Sequence, residues 1–296
     1  MNLNMTNSPY YDLSPQSNPR GVFVLSHGMA EHIGRYQWLI SKLNDDGYHV
    51  ISKDHRGHGK NIKNGESPGF FAKNNGWIKV RDDLSDLIDE AKNMYPTIPC
   101  FLLAHSMGSW IALSLLNKKL DIDGLILSGS SKVPHLLIYL QLLIIKIEII
   151  RYGHKAQSKL IDALTIRKFN NSFTPNRTDN DWISGDIESV DNYTSDPLCG
   201  FIVTNSLWQD VCICMLNIFK KNFYIASNSD IPILIISGEQ DKANANGEYA
   251  KKLYLFLNKI FKSVQIILVK NTRHEVFTDI SKHNTYKQLK EFISRC

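Results

Sequence analysis

The sequence predicts an α/β fold: a mostly parallel sheet flanked by helices, with a helical insertion. Three features point there. Short apolar runs alternate with stretches of helical spacing, the runs are apolar at every position instead of every second one, and the alternation stops once, between Ser130 and about Asn228. Strands apolar on both sides belong to parallel sheets covered on both faces, and alternation with helices is the mark of crossover connections. The 296 residues thus divide into an N-terminal extension (1–18), a core made of 19–129 and 229–296, and an insertion (130–228) between two sheet strands.

Taken in order, Gly21 to Ser26 is a buried strand between Pro19 and a Gly-containing loop, and Trp38 to Asp46 is a helix that stops before Gly47. His49 to Ser52 is the next strand. From Trp77 to Tyr95, Val80, Leu84, Leu87, Ile88, Ala91 and Met94 recur on one helical face, with Asp82, Asp83, Asp86, Asp89 and Glu90 mostly opposite. Cys100 to Ala104 reads as a strand running directly into a helix, Met107 to Asn117. Gly124 to Ser128, Ile233 to Ser237 and Val264 to Val269 complete the strands, the last two separated by a helix over Gly247 to Asn258.

Composition is that of a globular protein, with 43% hydrophobic and 21% charged residues and a formal charge of +5, which excludes a disordered, collagen-like or disulfide-scaffold chain. The lysines look scattered and form no basic stripe with interleaved aromatics, so no nucleic-acid partner is expected. Five cysteines without metal-ligand spacing read as reduced, mostly buried thiols, and Met1 to Arg20 lacks the apolar stretch of a secretory signal, so a cytoplasmic protein is expected. Val133 to Ile150 is nearly all Leu, Ile and Val, but Gln141, Lys146 and Glu148 interrupt it, which favours a buried or membrane-dipping helix over a span.

The chemistry concentrates at strand ends. Ala104-His105-Ser106-Met107-Gly108 places a serine on a tight strand-turn-helix, with its hydroxyl above the sheet edge and near a helix N-terminus. Asp241 follows one late strand and His274 the next, and the order Ser, Asp, His is that of a serine-hydrolase triad. The backbone N–H groups of Met29, after His27-Gly28, and of Met107 are candidates for an oxyanion hole. Asp210 and Asp181 are rival acids, but they lie in the insertion and follow no strand. His55 and His58 have no third ligand nearby, so neither metal nor cofactor is expected.

Leu25-Ser-His-Gly-Met-Ala-Glu-His-Ile-Gly-Arg-Tyr36, Asp54-His-Arg-Gly-His-Gly59, Ala104-His-Ser-Met-Gly108, Ser237-Gly-Glu-Gln-Asp241 and Arg273-His-Glu275 resemble the monoacylglycerol lipase and lysophospholipase branch of the α/β-hydrolases. The resemblance runs from about Pro19 to the C-terminus, strongest in the sheet, and Tyr193 to Leu198 is similar to the family's cap segment. It implies an α/β-hydrolase fold with the insertion as cap, catalysis by Ser106, Asp241 and His274, and Glu31, His32 and Arg35 as scaffold for the oxyanion loop. Ala104 and Ser109 depart from it, standing where the family usually has glycine.

The expected substrate is therefore a lipid ester with one acyl chain, bound under a cap helix by Leu136, Leu140 and Ile144 and reached through peripheral membrane contact. Two alternatives stay open at this point. An aminopeptidase-like serine peptidase would need a carboxylate for a free amine, for which Glu188 or Asp191 are candidates. A non-catalytic hydrolase-fold binding protein would be expected to lack a triad member. Acyl-chain length, head group and oligomeric state stay open as well.

Overall fold

The computed structural model describes residues 9–15, 18–63 and 65–296. Seven strands among them form one sheet: β1 (Tyr10–Asp12), β2 (Gly21–Ser26), β3 (Tyr48–Ser52), β4 (Cys100–His105), β5 (Gly124–Ser128), β6 (Ile233–Gly238) and β7 (Val264–Val269), in the order β1-β3-β2-β4-β5-β6-β7. All pairs are parallel except the edge pair, where β1 runs antiparallel to β3. That edge strand comes from the stretch expected to be an extension. Its three residues are too few to show a pattern; residues 1–8 of the extension lie outside the described residues.

Helices cover both faces because successive strand residues point to opposite sides. Val22, Val24, Leu102, Ala104, Leu125, Leu127, Ile233 and Ile235 face one core, which they share with α2 (Gly76–Met94), α3 (Met107–Leu115) and a helix between the last two strands. Phe23, Leu25, Leu103, Ile126, Leu234 and Ile236 face the other, against α1 (Gln37–Asp45) and the C-terminal helix Lys282–Ile293. Each fully buried Leu, Ile or Phe contributes roughly 1.5–3 kcal/mol. The C-terminal helix has no counterpart in the expectations, although Tyr286, Leu289, Phe292 and Ile293 recur at helical spacing and are buried.

The insertion supplies α4 (His135–Tyr152), α5 (Lys159–Leu164), α6 (Ile166–Asn171), α7 (Ile187–Ser195) and α8 (Asn205–Ile218); α9 (Glu248–Leu257) and α10 (Lys282–Ile293) complete the chain. Leu207, Val211 and Met215 of α8 belong to the same core as the sheet, and Ile138 and Ile145 of α4 join it from outside. No helix among the described residues is long and apolar enough to cross a membrane. The cysteines are unpaired, all buried but Cys296.

The strand order creates the site. From β2 the chain moves to β3 on one side, and from β4 to β5 on the other. The loops that follow β2 and β4 therefore part, and open α/β sheets bind ligands in the crevice left at such a switch point.

Candidate active site

Ser106 occupies the turn between β4 and α3 with φ 49° and ψ −119°, a left-handed conformation that costs a non-glycine residue energy and that the surrounding contacts must enforce. Its N–H donates to the Ser128 carbonyl at 2.8 Å. A Cβ at Gly108 would lie 2.5 Å from the carbonyl oxygens of Ser26 and His27, so only glycine lets α3 approach β2 this closely. Ala104 is fully buried between β2 and β5, where its methyl fits. The Ser109 hydroxyl donates to the Ser106 carbonyl (2.5 Å) and bonds Ser130 Oγ (2.7 Å), a link that a glycine there would lack.

The other two residues arrive from β6 and β7. His274 Nε2 lies 2.9 Å from Ser106 Oγ, and His274 Nδ1 lies 2.8 Å from Asp241 Oδ2. The Gln240 N–H donates to the Thr272 carbonyl at 2.9 Å and the Glu275 N–H to Ile183 at 2.7 Å, which locks the two loops together and to the insertion. Asn244 donates its backbone N–H to Asp241 Oδ1 (3.3 Å) and its amide to Ser237 Oγ (2.8 Å) and the Ser130 carbonyl (2.9 Å). Trp182 and His105 cover the His274 ring at 4.9 and 4.8 Å. Burial penalises the charged imidazole, but the Asp241 carboxylate and its hydrogen bond outweigh that and raise the His274 pKa above its ordinary 6.5. A hydroxyl linked through an imidazole to a buried carboxylate can lose its proton as it attacks an electrophile, then have the proton returned to a leaving group.

Met29, in the loop after β2, and Met107, directly after Ser106, line the same cavity as Ser106 and His274. The loop that carries Met29 is fixed by the residues the resemblance marks as scaffold. Glu31 Oε1 accepts the Gly28 N–H and the Tyr36 hydroxyl (3.0 Å). Burial, with Glu275 nearby, pushes the Glu31 carboxyl up to about 8. Arg35 pairs with Glu275 (2.6 Å) and donates to the Ser189 carbonyl (3.2 Å), tying this loop to His274's neighbour and to α7. Asp54 accepts the N–H groups of Ile33 and Lys60, both at 2.9 Å. Trp182 and Asn244 were not legible in the sequence, since neither sits in a local motif; Arg35 and Glu275 belong to motifs that carry the resemblance, but their pairing joins positions 240 residues apart and is not readable from either motif.

The cavity holds about 520 Å³. Leu137, Leu140, Gln141 and Ile144 of α4 line it with Ile161, Leu164, Phe169, Trp110 and Met215, which places Leu140 and Ile144 at the cavity wall. Leu136 does not line it. It is 70% exposed, because four-residue steps drift 40° around a helix and the face toward the cavity is 137, 140, 141 and 144. Glu148, which interrupts the apolar run in the sequence, is buried and accepts the Ser158 hydroxyl at 2.5 Å.

Of the rival acids, Asp210 accepts the Trp77 N–H at the start of α2, and Asp181 accepts N–H groups of Arg177 and Thr178. Neither Glu188 nor Asp191 lines the cavity. His55 Nε2 bonds Ser26 Oγ (3.0 Å) and His58 Nδ1 the Arg56 carbonyl (2.9 Å). His32, Asp196 and Cys199 converge within 4.8 Å, but His32 Nδ1 accepts the Gly34 N–H (3.1 Å), which puts the ring proton on Nε2, facing Asp196 at 2.8 Å. The nitrogen that would ligate a metal is engaged as a donor.

With this geometry in hand, comparison with known proteins places the chain. The family profile described as serine aminopeptidase, S33 matches residues 17–281. The chain belongs to this α/β-hydrolase family. It is 27% identical to a monoacylglycerol lipase of Mycolicibacterium smegmatis over 234 residues, 78% of this chain and 74% of that one. It is 24% identical to a probable lysophospholipase L2 of Haemophilus influenzae over 291 residues, 95% and 86% of the two chains. Among solved structures, a thermostable carboxyl esterase of Bacillus coagulans in complex with glycerol superposes with a TM-score of 0.85 at 26% identity, covering 97% of this chain and 93% of the other.

Proposed function

We propose that this hydrolase cleaves carboxylic esters of single-acyl-chain lipids, of the monoacylglycerol or lysophospholipid type, through an acyl-enzyme on Ser106. The observation that carries the reading is the Ser106–His274–Asp241 chain, bonded at 2.9 and 2.8 Å and opening into an apolar cavity. Ser106 Oγ attacks the ester carbonyl while His274 Nε2 takes its proton, and the N–H groups of Met29 and Met107 receive the developing oxyanion. His274 then protonates the leaving alcohol, and water completes the cycle by the same route. Asp241 holds the imidazole with its proton on Nδ1 and stabilises the imidazolium. Leu140 and Ile144 take part of the acyl chain, and the insertion acts as the cap that meets lipid surfaces.

Peptide chemistry is disfavoured by the acids at the cavity wall. Glu31 and Glu275 are bonded to Gly28, Tyr36 and Arg35, and Asp162 to Arg167, which leaves none of the three free to hold a substrate amine. A panel of short p-nitrophenyl esters, monoacylglycerols, lysophospholipids and aminoacyl amides tests the reading. Single-chain lipid esters should give the highest kcat/KM; preference for the amides would reject it.

A further inference from the structure

The insertion's charges are segregated along the chain. Residues 132–168 hold seven Lys or Arg against two acids, Glu148 and Asp162, whereas 169–204 hold one Arg against six acids. Both acids of the first half are buried and bonded, Glu148 to Ser158 and Arg151, Asp162 to Arg167. Its uncompensated surface charge is therefore all positive. Lys146 and Lys159 are exposed and enter no ion pair among the described residues. In the second half, Asp179, Glu188 and Asp191 are exposed.

The basic half is also the apolar one. Leu136, Tyr139, Leu143, Ile147 and Ile150 stand exposed at helical spacing along α4, Ile150 by 84%, with Lys146 among them. Leu137, Leu140 and Leu164 line the cavity and are themselves about half exposed, so the cavity opens on this same face. A helix with an apolar stripe and cationic flanks lies in the interfacial plane of a bilayer, and each Lys or Arg near an anionic surface raises partitioning by about fivefold.

Resting on the lipid-ester reading, we propose that this face docks on a membrane leaflet rich in anionic lipid, with α4 in the interface, the cavity mouth toward the lipid and α7 turned away. An anionic surface attracts 132–168 and repels 169–204. The insertion's charge separation thus orients the molecule as well as binding it.

Flotation with vesicles of phosphatidylcholine alone, and with vesicles about one third phosphatidylserine, tests this on the intact chain. The expected result is at least tenfold stronger binding to the anionic vesicles, lost in high salt. The difference should shrink by at least tenfold in the double variant Lys146→Gln, Lys159→Gln, with hydrolysis of a short soluble ester unchanged. Equal binding to both vesicles would overturn the charge selectivity. Binding to neither while soluble esters are still cleaved would overturn the docking face and leave the ester-hydrolase reading standing, and a stable dimer that covers α4 would overturn it in favour of a second copy. If soluble esters are not cleaved at all, the reading of the site fails, and flotation still reports on the face because it needs no turnover.

Discussion

Ser106 is held in a strained turn, and its hydroxyl already lies within bonding distance of His274, so the catalytic consequences of each residue can be stated separately. Ser106→Ala should lower kcat for ester hydrolysis by about 10⁶, as loss of the nucleophile does in a serine protease, with little effect on folding. A purified variant retaining a tenth of wild-type activity would reject the assignment. Asp241→Asn should cost about 10⁴ in kcat by favouring the wrong imidazole tautomer, whereas Asp210→Asn, in α8 and bonded to the start of α2, should leave kcat close to wild type. The free enzyme works with His274 neutral, and its pKa is raised, so kcat/KM should fall with decreasing pH along a limb whose midpoint lies above 6.5. A midpoint below 6.5 would mean that Asp241 does not govern the ring. These residues are readable in the sequence because each directly follows an apolar strand. Trp182 and Asn244, which enclose and brace them, come from loops with no such marker.

At the scale of elements, the junction of β4 with α3 is the least forgiving. Gly108→Ala would drive a Cβ to 2.5 Å from two backbone carbonyls and should destabilise by about 3 kcal/mol or more, read as a shift in urea midpoint. Ala104→Val adds two methyls at a fully buried position and should cost about 1–3 kcal/mol. On α4 the two faces should separate. Ile144→Asp, inside the cavity, should depress hydrolysis of long-chain esters far more than of short ones, and equal losses on both would make α4 merely structural. Hydrophobic spacing reveals that α4 is a helix but not which of its apolar stripes faces inward, since both are apolar; hence Leu136 falls outside while Leu137 lines the cavity. The burial of Glu148 is not readable from spacing either, its partner Ser158 lying beyond the helix end. β1 is too short to carry periodicity, whereas the pattern of α10 is present in Tyr286, Leu289 and Ile293.

For the whole molecule, the alternation of apolar runs and helices specifies the sheet, and the strand order then brings residues 29, 106, 241 and 274 to one edge. The buried histidines set how this assembly responds to acid. Burial lowers the pKa values of His27 to about 4 and His58 to about 3, and holds His55 and His105 well below 6.5. The unfolded chain protonates these groups first, so their contribution is present above pH 6.5 and is lost as pH falls from there toward 3. His274, with its raised pKa, acts in the opposite sense, as do Glu31 and Asp210, whose carboxyls burial raises to about 8 and about 6, but the four buried rings carry the larger sum. The melting temperature should therefore drop steeply below about pH 6; a flat profile down to pH 4 would mean that the four rings are not buried neutral. The most direct test of the central proposal is fatty-acid release from a long-chain monoacylglycerol by purified wild type and Ser106→Ala. Wild type should release fatty acid saturably, and the variant should lose at least about 10⁴ of that rate. Release by both proteins alike, or wild-type turnover confined to short esters or peptides, would contradict it.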